Sequence, residues 1–263
     1  MEKNRVIIVL IACILAFSIG YFLYGSLEGN KADDFKEKTI AEMLASKTYL
    51  FNTSITIKTD GTIQGFTVNT KDVISGNGAV DVPNKRMLLD VTIRSGGNNQ
   101  ALSKTQNSQV YFIGDKVYFT SNETIVEQQI NDSELIWRER TQLKQLAEIF
   151  SKSEFKVTGE ESIHGIQTSI LTLYPEKTDL VKYIAEQSSV GGAPLEISES
   201  QLADLSEMVK DYSLTLWVGK QDYLPRRFIM KMSLASGEIS RESEIVMDVW
   251  AYGSPIEINL PKV

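Results

Sequence analysis

Residues 215–233 read "TLWVGKQDYLPRRFIMKMS". After Pro225 and two arginines, apolar side chains fall on every second residue: Phe228, Met230, Met232, then Leu234. A period of two marks a strand with one apolar face. That face is built from phenylalanine and methionine rather than the stiffer valine and isoleucine. Methionine adapts to irregular shapes and to varied apolar partners. Two readings follow: the inside of an ordinary packed sheet, or the lining of a cavity that receives a flexible apolar ligand.

The same alternation recurs outward from this stretch. "YLFNTSITIK" places Tyr49, Phe51, Thr53, Ile55 and Ile57 on one face. "VISGNGAVDVPNKRMLLDVTIRS" predicts a hairpin about Pro83-Asn84. Pairing Val82 with Lys85 sets Asp81 opposite Arg86, Val80 opposite Met87 and Ile74 opposite Ile93. One face then carries Val80, Met87, Leu89, Val91 and Ile93. "SQVYFIGDKVYFTS" predicts a second hairpin with Gly114-Asp115 at its tip, and Val110, Phe112, Val117 and Phe119 are assigned to the interior. A third hairpin turns at "IHGIQ", and "SEIVMDVWAYG" carries Ile245, Met247 and Val249 on one face. The closing "SPIEINLPKV" reads as a short strand bounded by prolines.

Helical spacing appears in four places. In "DDFKEKTIAEMLASKTY", Asp34 and Glu37 have capping-box spacing before Ile40, Met43 and Leu44. Ser133 is placed as the cap of a helix carrying Trp137, Leu143, Leu146 and Phe150. Residues 176–210 read as an insertion of two short helices about Gly191, Gly192 and Pro194, the second capped by Ser198 and Gln201. Tight turns without regular crossovers predict a mainly β, α+β fold, a largely antiparallel sheet with helices on one side.

The N-terminus is a separate element. After Lys3 and Arg5 an uncharged apolar run extends from Val6 to Tyr24. Nineteen residues at about 1.5 Å each span about 28 Å, close to the thickness of a bilayer core. Residues 1–25 are therefore expected to be a transmembrane anchor, and residues 26–263 an extracytoplasmic domain. Two other readings stand beside it: a signal peptide cleaved near Ser18-Ile19-Gly20, and a lipoprotein signal at Leu10-Ile11-Ala12-Cys13. All three export the domain, and with the anchor the expected location is a cell membrane, single-pass, with the bulk of the chain outside the cytoplasm.

Composition excludes several classes. The 263 residues are 42% hydrophobic and 23% charged, as in a folded protein. A net charge of −7 argues against nucleic acid as a partner and against electrostatic adhesion to anionic lipid. Cys13 is the only cysteine, so neither an internal disulfide nor a cysteine-based metal site can form. The single histidine, His164, sits at a turn, and no G-x-S-x-G elbow, H-E-x-x-H, EF-hand or Gly-rich phosphate loop is present. The 34 carboxylates are scattered. Asn52, Asn122 and Asn131 open N-x-[ST] triplets, at the frequency that chance provides. Arg226-Arg227 reads as a solvated pair at a strand edge, with acidic head-group binding as the alternative. No catalytic residue, metal ligand or cofactor is expected.

The order of these elements resembles the LolA-like superfamily, which includes periplasmic lipoprotein carriers and mycobacterial lipid-carrying lipoproteins. The similar stretches are "VYFIGDKVYF", "GEESIHGIQTSILTLYP", "LWVGKQDYLPRRFIMKM" and "YGSPIEINLP", within about residues 33–261. The resemblance implies a half-open antiparallel β-barrel whose helices cover a hydrophobic cavity, with no catalytic residue to carry over. The residues expected to line it are Met87, Leu89, Val91, Phe112, Phe119, Phe228, Met230, Met232, Met247 and Val249. The expected function is membrane-anchored binding of a lipid or another apolar group. The alternative is a non-enzymatic sensor or scaffold that contacts another envelope protein. An uncleaved anchor separates this chain from carriers that shuttle through water.

Overall fold

A computed structural model describes residues 29–63, 66–97, 104–121, 124–129, 137, 141–181 and 198–260. The expected anchor at 1–25, the Ser133 cap and the Gly191–Pro194 loop lie outside the described residues. No helix among the described residues is long and apolar enough to cross a membrane.

The chain enters through α1 (Gly29–Ala45) and then forms β1 (Thr48–Ile63), β2 (Phe66–Asp81), β3 (Arg86–Gly97), β4 (Lys104–Ile113), β5 (Lys116–Ser121) and β6 (Thr124–Gln129). Helix α2 (Gln142–Ser151) leads to β7 (Glu154–Ile163) and β8 (Ile166–Tyr174). Helix α3 (Glu199–Met208) precedes β9 (Val209–Gly219), β10 (Pro225–Ser236) and β11 (Ile239–Trp250). The strands make one open sheet in the order β6-β5-β4-β3-β2-β1-β11-β10-β9-β8-β7. Every pairing is antiparallel. The first and last strands meet in the middle, and β6 and β7 form the edges.

The hairpin registers follow from turn chemistry. Asp81 pairs with Arg86 and Ile74 with Ile93, as the sequence predicts. Asp81 Oδ1 and Oδ2 accept from the backbone N and Nδ2 of Asn84, which holds the turn. Tyr111 faces Tyr118 across the β4–β5 hairpin. At the β7–β8 tip, His164 and Gly165 both have positive φ, the geometry of a two-residue hairpin turn. His164 is exposed there.

Alternation sorts each strand into two faces. Tyr49, Phe51, Ile55 and Ile57 of β1 point to the face covered by helices, where they join Met43 of α1 and Leu143, Leu146 and Phe150 of α2 in the main core. Phe51 lies over Gly78, its partner on β2, where any Cβ would run into the ring. On the opposite face Ile258 packs on Ala79 and Tyr111.

Three expectations change. Helix α1 begins at Gly29, so Asp34 lies within it and pairs with Lys38 one turn on, at 2.6 Å, instead of capping. Its buried stripe runs through Thr39 and Met43, while Leu44 is exposed. Helix α2 is described from Gln142 with Thr141 at its N-cap. The C-terminal segment 251–260 forms no strand. It is fastened to the outside of the sheet, with Thr48 Oγ1 donating to Ser254 O and Arg86 Nη1 donating to Ile258 O. The Ser198–Gln201 capping box of α3 forms as predicted.

Candidate ligand-binding face

The helix-covered face is laid out in rungs across β1, β11, β10 and β9. One rung is Thr53–Met247–Phe228–Leu216, and the next is Ile55–Ile245–Met230–Leu214. The third is Ile57–Ser243–Met232–Tyr212, and the fourth is Thr59–Arg241–Leu234–Val209. Apart from Thr53, the first two rungs are apolar, and the last two are mixed.

Of the ten residues expected from sequence, Met87, Val91, Phe112, Phe228, Met230, Met247 and Val249 belong to the main core cluster, and Leu89 packs against it. Met232 belongs to an adjoining cluster with Val181 and Val209, against which Leu202 and Leu205 of α3 pack. Phe119 departs from the expectation of burial. It shares the face but is 41% exposed. The reason is position: β5 is one strand from the β6 edge, and among the described residues nothing covers it there. Its partner on β6, Val126, is 55% exposed.

Helix α2 is tied to this face by polar contacts. Tyr49 Oη donates to Gln142 Oε1 at 2.9 Å, and Gln142 Nε2 lies 3.4 Å from Met87 Sδ. Burial pushes the Tyr49 hydroxyl well above its ordinary value, so it stays a donor. Trp137 Nε1 donates to Gly114 O, and Lys144 Nζ to Trp137 O, which straps the approach to α2 onto the β4–β5 turn.

Arg226 and Arg227 are not the solvated pair that sequence suggests. Arg226 is buried, pairs with Asp222 and stacks its guanidinium 5.0 Å above the Tyr252 ring. Arg227 grips Asp248 with two hydrogen bonds of 2.6 and 3.1 Å. Both charges are spent on internal partners.

Sequence reasoning missed Arg241. It shares the parity of Ser243, Ile245 and Met247, so continuing the strand alternation by one step would have placed it on the inner face. Its Nε donates to the buried Thr59 Oγ1 at 3.3 Å. Burial lowers its pKa, partly offset by the field of Asp72. A groove of about 340 Å³ opens among Lys58, Asp211, Lys231, Glu242 and Glu244. The strand parity of these residues puts them on the outer face, and the ion pairs Lys58–Glu242 and Lys231–Glu244 cross it. No cluster of His, Cys, Asp or Glu suited to a metal occurs among the described residues.

No protein-family model matches the chain, and no curated protein does. Among solved structures, LprF from Mycobacterium bovis is similar with a TM-score of 0.47 and 10% identity, covering 89% of this chain and 98% of that one. The MucA/MucB complex from Pseudomonas aeruginosa gives 0.31 and 13%, covering 86% of this chain and 59% of that one. A DUF1329 family protein from Desulfovibrio piger gives 0.24 and 13%, covering 86% and 94%. These likenesses concern the fold alone. The described residues themselves form an open antiparallel sheet with helices packed on one face.

Proposed function

We propose that the chain is a membrane-tethered, extracytoplasmic binding module of half-barrel form, which takes up a lipid or another apolar group on its helix-covered face. One observation carries the reading. The row Phe51–Gly78–Leu89–Val110–Phe119–Val126 is apolar throughout. It passes from the buried centre under α1 and α2 to an exposed rim. An apolar floor that is continuous from core to solvent gives an acyl chain a route inward, and each buried CH₂ contributes about 0.8 kcal/mol before ordering costs. Methionines at 87, 230, 232 and 247 supply a lining that can change shape. The mechanism is binding and release, and no side chain is asked to do chemistry.

The test is titration of residues 29–263 with a fluorescent acyl probe, with circular dichroism to confirm folding. Saturable binding that Met230→Lys abolishes supports the reading. No binding by the folded, unmodified domain would sink it. The exposed pair Phe119 and Val126 supports the second reading, a protein contact at the β6 edge. In that case Phe119→Ser would leave probe binding intact and remove an envelope protein from cross-linked complexes.

A further inference from the structure

The inner face ends in Arg241, which makes no ion pair among the described residues; Asp72, on the same face of β2 opposite Ile57, acts on it through its field. Arg241 stands on the fourth rung, beside Thr59 and Leu234, two residues along the strand from Ser243 and four from Ile245. Among the other arginines of the sheet, Arg94 is exposed and the remaining three have internal partners. Arg226 holds Asp222, Arg227 holds Asp248, and Arg86 donates to a backbone carbonyl. The Arg241 Nε is used by Thr59, which fixes the fork and leaves the two terminal nitrogens as donors. Helix α3 covers the neighbouring ground, where Leu202 and Leu205 pack near Met232 and Leu234. On the same helical face, Ser206 Oγ is buried with no hydrogen-bond partner among the described residues. A half-buried guanidinium is costly unless something pairs with it.

We propose that Arg241 is the head-group anchor of the apolar face, so that the preferred ligand is an anionic amphiphile, a fatty carboxylate or a lipid phosphate, with its chain along Met232, Met230 and Phe228. This rests on the lipid reading of that face. The rungs carry the assignment. Polarity rises along β11, from Met247 and Ile245 through Ser243 to Arg241, while β10 stays apolar on this face from Phe228 to Leu234, so a chain lying on β10 has its head group toward Arg241. Carboxylate and phosphate oxygens match the planar fork, and a charge-assisted bond there discriminates by about tenfold or more against an uncharged head.

The experiment uses the full chain in phosphatidylcholine nanodiscs, with a photoactivatable hexadecanoic acid and the matching fatty alcohol, and cross-linked peptides mapped by mass spectrometry. The acid labels residues 228–234 in the unmodified protein. Arg241→Gln lowers acid labelling about tenfold and leaves alcohol labelling unchanged, while Arg241→Lys retains part of it. Competition by unlabelled phosphatidic acid against unlabelled fatty acid separates phosphate from carboxylate. Equal acid labelling in Arg241→Gln overturns the anchor and leaves the lipid reading standing. A parallel loss of alcohol labelling in both variants makes Arg241 a support of the fold and also overturns the anchor. No labelling of the unmodified face by any probe overturns the lipid reading itself.

Discussion

Met230 and Lys231 are adjacent and point in opposite directions, which makes them a test of the face assignment. Met230 is 2% exposed and lies between Ile245 and Leu214, both buried. The Lys231 side chain is 62% exposed and pairs with Glu244 at 2.9 Å. Met230→Lys forces an ammonium into an apolar rung, where it must lose its proton or open the sheet. Either route costs several kcal/mol, a large share of a typical total of about 5–15 kcal/mol. Lys231→Met loses an exposed ion pair worth about 0–1 kcal/mol. Met230→Ala then asks what the face is for. In a core with no spare room the substitution leaves a hole and costs about 2–5 kcal/mol. Beside a space that a ligand fills, the cavity contribution is already present, so the cost stays near the low end. An acyl ligand at one hundred times its Kd should in turn restore about 2.7 kcal/mol. Urea unfolding followed by circular dichroism, with slopes compared as well as midpoints, measures all three variants. If Lys231→Met destabilised as much as Met230→Lys, the assignment of faces would be wrong. A Met230→Ala loss at the top of the range, unrelieved by ligand, would refute the ligand space.

Three further outcomes are expected. Gly78→Ala should destabilise by about 1–3 kcal/mol although alanine suits strands better, because its methyl meets the Phe51 ring; adding Phe51→Leu should recover part of the loss in a double-mutant cycle. Asp248→Asn should lower thermal stability by about 1–2 kcal/mol, since it removes the charge held by both Arg227 bonds. The Lys116 hydrogen bond holds the Glu127 carboxyl below its ordinary value, so its contribution is complete above the unfolded pKa and disappears as pH falls through the lower folded value. Carbon-detected titration of Glu127 checks this, and a midpoint at or above that of free glutamate contradicts it.

Local features were the legible ones. The β2–β3 and β4–β5 registers could be written down in advance because Pro83-Asn84 and Gly114-Asp115 fix the turns and the alternation fixes the faces. The inward rows of β10 and β11 were readable for the same reason. What failed depended on neighbours far along the chain. Asp34 has the right spacing for a cap, but a helix already started at Gly29 leaves it no cap to make. Phe119 obeys the alternation, yet burial also needs a cover, and no pattern within β5 says how far the helices extend. Arg226 is buried by Tyr252 and Asp222 in a way that two adjacent arginines do not announce. The C-terminal "SPIEINLP" has strand composition, but it lies against β1 and the start of β3, far from the free edges at β6 and β7. The central positions of the sheet are already taken.

The pairing of β1 with β11 accounts for the way the face is built. Leu50 meets Trp250 and Asp60 meets Ser240, so the middle of the sheet joins residues nearly two hundred positions apart. Neither half of the sheet can bury its inner edge until the last strand arrives, a topology with a large entropic cost of closure and slow folding. The two edges, by contrast, are consecutive strands of the chain. The connection from β6 to β7 must travel from one edge of an eleven-stranded sheet to the other. Within it, α2 packs with α1 over the helix-covered face of the centre. The cover is thus thickest over β1 and β11 and absent, among the described residues, at Phe119 and Val126. A tether at the start of α1 would hold this covered centre near the membrane and leave the apolar rim free to meet a ligand.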